Sequence, residues 1–160
     1  MVARVAGISV KDLWVGMQSP CADWERDWTR KAIQPVSKSL VYDGAWPMLH
    51  TRMVRMVAAC LRNYLDARIL TFDSIINADE RPDPTFLLAI PDFWSKDLKR
   101  PDWQMSKVFA LVQDRWFLGR KIVLHVGSMQ ALHITYPEIA SFLNSQFDVR
   151  TYNPKAEIKE

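Results

Sequence analysis

Apolar positions along the chain change period several times, and each change predicts an element. Residues 1–21 show little periodicity and are punctuated by Gly7, Gly16 and Pro20, which predicts an extended lead-in. From Ala22 to Ile33 a helical pattern takes over, with Trp24 and Trp28 four residues apart and Pro35 just beyond. Ser39 to Tyr42 predict a short strand and Gly44 a turn. Leu49 to Leu65 predict a long helix whose Met53, Val57, Cys60, Leu61 and Tyr64 recur at core-facing spacing. A strand over Arg68 to Phe72, a helical turn over Ser74 to Asn77 and a polar, proline-bearing break up to Pro84 follow. Phe86 to Ile90 is a continuous apolar run, as expected of a strand buried on both faces, and it ends in Pro91-Asp92-Phe93-Trp94. Asp102 to Leu118 predict a helix with one stripe of Met105, Val108, Phe109, Val112 and Trp116, closed by Gly119. Lys121 to Val126 predict a strand, Gly127-Ser128 a loop, Pro137 to Asn144 a short helix and Asp148 to Tyr152 a last strand. Strands alternating with helices at this spacing predict an α/β fold with a mostly parallel sheet covered on both faces.

Composition narrows this picture without redirecting it. The 160 residues, 49% hydrophobic and 24% charged, suit one compact domain. Within it, residues 1–36 form an arm and a tryptophan-rich helix, 37–152 the core and 153–160 a polar tail. The balance of 21 Lys and Arg against 18 Asp and Glu, net +3, does not indicate a charge-driven partner. Two distant cysteines, Cys21 and Cys60, give neither a zinc motif nor a disulfide framework. No run approaches the roughly 18 apolar residues of a membrane span, and the start is too short for a signal peptide, so a cytoplasmic protein is expected.

Seven tryptophans are too many for a core this small, and partly exposed ones favour interfaces. Trp14, Trp24, Trp28, Trp94 and Trp103 lie outside the core pattern and are the candidate partner contacts. Arg52, Arg55 and Arg62 share the outer side of their helix, and with Lys96, Lys99 and Arg100 they are the residues a single-stranded DNA binder would use. His50, His125 and His133 match no metal-ligand spacing, and no nucleophile motif is present.

The segment from Gly44 to Thr51 nearly spells the phosphate-binding pattern G-x-x-x-x-G-K-[ST], in which backbone N–H groups and a lysine hold the phosphates and a hydroxyl holds Mg²⁺. Gly44 and Thr51 keep their places, while Leu49 replaces the second glycine and His50 the lysine. Together with the order of strands and the run from Arg115 to Leu124, this resembles the AAA+ P-loop ATPases, and more narrowly the helicase loaders and transposition helpers of the DnaC and IstB type. The likeness spans about Ser37 to Arg150. It implies a three-layer core with a five-stranded, mostly parallel sheet and no lid domain. By the same likeness, Pro91 occupies the place of the metal-holding acid and leaves only Asp92. Ser128 is all that remains of the polar sensor turn, and Phe142 stands where the arginine finger belongs. Leu49 falls where the loop backbone needs room and often positive φ, and Trp46 and Pro47 stiffen that loop.

Loss of lysine, acid, sensor and finger together implies a non-catalytic protein whose old cleft is filled by side chains, with no cofactor. It would dock on a replicative helicase or an active AAA+ relative during replication or recombination. The alternative is a weak nucleotide-dependent loader using ATP and Mg²⁺ through Gly44, Thr51 and Asp92, with His50 for lysine. Single-stranded DNA binding is the further alternative.

Overall fold

The computed structural model describes residues 7–9, 11, 22–32, 34, 37–78 and 85–157. Expectations that fall on Trp14, on Cys21 and on the polar break over residues 79–84 lie outside the described residues. Five strands, β1 (Leu40–Asp43), β2 (Ala67–Ile69), β3 (Leu87–Trp94), β4 (Lys121–Val126) and β5 (Asp148–Thr151), form one sheet in the order β2-β3-β4-β1-β5. Every pairing is parallel. The described helices are α1 (Asp23–Lys31), α2 (Leu49–Arg62), α3 (Phe72–Ile76), α4 (Asp102–Phe117), α5 (Met129–Thr135), α6 (Pro137–Gln146) and α7 (Pro154–Glu157). None is long and apolar enough to cross a membrane.

Alternation along the strands divides the interior into two cores, one on each side of the sheet. Val41, Leu88, Ile90, Ile122 and Leu124 face the core covered by α3 to α6. Leu40, Tyr42, Leu87, Ala89 and Val123 face the other, which α2 closes with Met53 and Val57 and α1 with Trp28 and its C-cap Ala32. The central strands are therefore buried on both sides, which is why they read as continuous apolar runs.

Strand β3 runs past Ile90, where the sequence pattern ends it. Ile90 pairs with Leu124 and Trp94 with Val126, so three residues lie between pairs that are bridged by one on β4. Pro91 has no N–H for the ladder, and the strand bulges there before pairing resumes.

Helix ends explain two further corrections. Helix α2 stops at Arg62, and Tyr64, expected in the core, is 97% exposed with φ 61°. Its N–H donates to Leu61 O at 3.1 Å and that of Leu65 to Cys60 O at 2.9 Å, a Schellman ending in which Tyr64 holds the left-handed position usually given to glycine. Helix α4 ends the same way, with Gly119 at φ 71° supplying that position without strain. Its stripe is Met105, Val108, Val112 and Arg115, not Trp116, which is 40% exposed.

Candidate functional site

The loop from β1 to α2 leaves the sheet at its C-terminal edge, where doubly wound α/β folds place their ligands. Gly44, at φ 104°, makes the turn, and its N–H donates to Val126 O at 2.9 Å. Asp43 just before it accepts from Met129 N at 2.8 Å through Oδ1 and from Thr151 Oγ1 at 2.9 Å through Oδ2. Its carboxylate thus joins the end of β1 to the start of α5 and the end of β5.

Trp46 turns inward. It is 9% exposed, and its Nε1–H points at two carbonyl oxygens, Asp43 O at 3.0 Å and Arg150 O at 3.1 Å. Tyr42, Trp24 and Tyr152 surround the indole with ring centroids 5.2, 5.7 and 5.3 Å away, in the tilted and edge-on arrangements that aromatic quadrupoles favour. Arg52 closes the same cluster. Its Nε donates to Pro47 O at 2.9 Å, its guanidinium lies 5.2 Å from the Trp46 ring, and it pairs at 2.5 Å with Glu25.

Glu25 is 3% exposed and well partnered: Arg52, the Tyr42 hydroxyl at 2.5 Å and Ala22 N at 3.2 Å all donate to it. Burial, reinforced by that carboxylate, raises the Tyr42 hydroxyl far above its ordinary value and keeps it a donor. The sequence signal for Glu25 is its place three residues before Trp28 on the buried face of α1, and it is not among the residues singled out from the sequence.

The residues that follow depart in conformation from the sequence expectation. The left-handed turn falls on Met48, at φ 53° and 69% exposed, and not on Leu49, which is the first helical residue and packs into the α2 core. His50 is exposed and Thr51 half-buried. Arg52, the next cation, is committed to Glu25 and Pro47. His125, unassigned from the sequence, bridges the loop to the bulge of β3: Nε2 lies 2.8 Å from Gly44 O and Nδ1 3.2 Å from Pro91 O.

Asp92 faces away from this loop. Its Oδ1 accepts from Phe72 N at 2.8 Å, the first N–H of α3, whose N-cap is Thr71, and its Oδ2 lies 3.4 Å from Arg100. Arg100 in turn donates to Asp92 O and Phe93 O at 2.8 Å each and stacks 3.6 Å from the Phe72 ring centroid. Ser128 is the N-cap of α5, accepting from Ala131 N at 3.2 Å. Phe142 packs against Phe109, Trp116 and Phe147. Arg150 lies 3.2 Å from Asp148 and 5.0 Å from the Trp24 ring.

Two of the described tryptophans proposed as partner contacts are core residues. Trp28 is 7% exposed with Nε1 donating to Lys38 O at 3.0 Å, and Trp94, at 5%, packs into the α4 core. Trp24 is half-buried against Trp46, which leaves Trp103, at 60%, on the surface. The expected basic stripe is likewise broken, because the Arg52 and Arg100 side chains are only 12% and 10% exposed and both are ion-paired. Arg55 and Arg62 are half-buried. Among the described residues no three His, Cys, Asp or Glu side chains gather as a metal group.

No family model and no curated protein matches the sequence. Solved structures do match. A DnaI structure overlays with a TM-score of 0.65 over 91% of this chain and 95% of its own, at 12% identity. The DnaC helicase loader gives 0.60 over 90% and 100%, also at 12%. AMPPCP-bound DnaA from Aquifex aeolicus gives 0.64 over 86% of this chain at 10% identity, and this chain spans 49% of its length. The fold is that of the AAA+ P-loop proteins, as the strand order and the loop after β1 led one to expect.

Proposed function

We infer that this chain is a non-catalytic protein-docking factor built on the AAA+ fold, of helicase-loader type, acting in DNA replication or recombination by binding a helicase or an active AAA+ relative. The observation that carries the reading is the state of the loop after β1. Trp46 is folded back onto β1 and β5, Pro47 is held by Arg52, and His50, at the lysine's place, is exposed.

Phosphoryl transfer depends on cations and metal-holding acids aimed at the transferred group. Mg²⁺ and ATP do not fit the residues present. The loop carries no lysine, Pro91 carries no carboxylate, and Asp92 holds the first N–H of α3 and faces Arg100. Arg52 is no substitute for the lysine, since releasing it would strand the Glu25 carboxylate in the interior. A weak nucleotide-dependent loader would need those contacts remade. Single-stranded DNA binding loses support with Arg52 and Arg100, two of its six cations, engaged in ion pairs.

The experiment is affinity capture by the full chain from a native lysate of its source, with and without added ATP and Mg²⁺. Recovery of a helicase or AAA+ protein, unchanged by nucleotide, is the expected result. Recovery of no replication or recombination protein, or recovery only with nucleotide, overturns the reading.

A further inference from the structure

Two cavities of about 310 and 560 Å³ share Thr135 and Tyr136 as a common wall, the smaller beyond the end of β3 beside the start of α4 and the larger between the body of α4 and the joint of α5 with α6. Both sizes are in the range of ligand sites. The Tyr136 hydroxyl donates to Asp102 Oδ1 at 2.7 Å and fixes that wall against α4.

The smaller cavity follows the C-terminal end of β3. Trp94 and Met105, 5% and 1% exposed, give it an apolar floor, and Leu98 adds to its side. Lys96 and Lys99 line it from the surface, while Arg100 beside them is held by Asp92. No residue lining this cavity is acidic. The larger cavity has a different character, with Phe109 and Ile139 in its wall and Glu138 as its one charged lining residue. Trp103 and Ile134, 60% and 83% exposed, lie on α4 and α5, the helices that frame the two.

We propose that this double cleft seats an acidic peptide segment of a protein partner, with an apolar side chain of the peptide on the Trp94–Met105 floor and flanking carboxylates on Lys96 and Lys99. This rests on the docking reading above and names the chemistry of the partner. An apolar centre with a charged rim is the usual anatomy of a protein contact, and Lys96 and Lys99, with the single exposed carboxylate of Asp97 between them, leave the rim of the smaller cavity net positive. A nucleic acid strand fits less well: running through both cavities, its phosphates would meet Glu138 and the Asp102 carboxylate at the shared wall. A peptide can place an apolar or neutral residue there.

The test is fluorescence anisotropy of a fluorescein-labelled peptide, Glu-Asp-Leu-Glu-Glu-Phe-Glu-Asp, titrated with the full chain. The comparison is with Lys96→Glu/Lys99→Glu and with Lys38→Glu/Lys155→Glu, which changes net charge equally at exposed lysines outside the cleft. The proposal predicts saturable binding that the first pair weakens at least tenfold and the second less than twofold. Absence of saturable binding, equal loss in both variants or no loss in either overturns it, as does displacement by oligo-dT at lower concentration than by unlabelled peptide. Lysate capture separates the two levels: a helicase or AAA+ protein recovered equally by wild type and by Lys96→Glu/Lys99→Glu sinks the cleft and leaves the docking reading standing. No such protein recovered by wild type sinks the docking reading itself.

Discussion

Arg52, in the first turn of α2, donates from Nε to Pro47 O across 2.9 Å, so the helix grips the loop that leads into it. The same guanidinium holds the buried Glu25 carboxylate, which ties that loop to α1. The loop's shape is therefore set by a charge pair whose separation leaves an ion in the interior.

Removing one partner alone should be costly. Arg52→Met strands Glu25 and is expected to destabilise the fold by about 3–5 kcal/mol, the usual range for breaking a buried pair. The double variant Arg52→Met/Glu25→Leu should lose clearly less than the sum of the two single losses. Urea denaturation of the four proteins measures this, and strict additivity would mean that the pair is not coupled.

Tyr64 offers a gain. Its φ of 61° is a position that costs an L-residue about 1–2 kcal/mol, and the side chain is almost wholly in solvent. Tyr64→Gly should stabilise the protein by roughly 1 kcal/mol, read as a higher denaturation midpoint with an unchanged slope. A loss of stability would show that the Tyr64 ring does structural work.

Arg115 was read as part of a family signature, and its physical role is a main-chain clamp. Only 2% exposed, it donates from one terminal nitrogen to Thr85 O at 2.8 Å, Lys121 O at 2.9 Å and, at 3.3 Å, Phe86 O, where β3 and β4 begin. Arg115→Met leaves these carbonyls without the donor and should cost about 3 kcal/mol or more. Hydrogen exchange of the β3 and β4 amides should rise with it, and unchanged exchange would contradict the clamp.

Alkaline pH should weaken the fold in a defined window. Burial raises the Cys60 thiol from 9.0 to about 11, and the bond to Asp102, aided by burial, raises the Tyr136 hydroxyl from 10.0 to about 12. The unfolded chain thus releases these protons at lower pH than the folded one, so stability falls as pH rises from about 9 and is untouched by these groups below it. Denaturation midpoints at pH 8, 9 and 10 check this, and Cys60→Ala should flatten the fall. A profile identical in slope for the two proteins would contradict it.

Legibility from the sequence followed the range of the forces involved. Strand β4 has the predicted bounds because the apolar run Ile122-Val123-Leu124, with Val126 beyond His125, lies between Gly119 and Gly127. Helix α2 starts at Leu49 as expected, while its end was overrun because Tyr64 carries no glycine signal at a position glycine usually fills. Helix α5 was missed: Ser128 caps it locally, but Asp43, 86 residues away, supplies the acceptor for its first N–H. At the candidate site, the altered motif positions were visible in the sequence. The contacts of Glu25 with Arg52 and Tyr42, of Trp46 with Arg150 and of His125 with Gly44 and Pro91 were not, since they join residues from separate segments.

The central claim is that the loop after β1 no longer serves nucleotide. Titration of the full chain with a fluorescent ATP analogue and Mg²⁺ tests it most directly, beside Leu49→Gly/His50→Lys assayed for hydrolysis. The account predicts no saturable binding by the wild-type chain and no turnover by the double variant, because by the resemblance Pro91 and Phe142 would still stand at the places of an acid and an arginine. Saturable binding at micromolar analogue, displaced by unlabelled ATP, would contradict it.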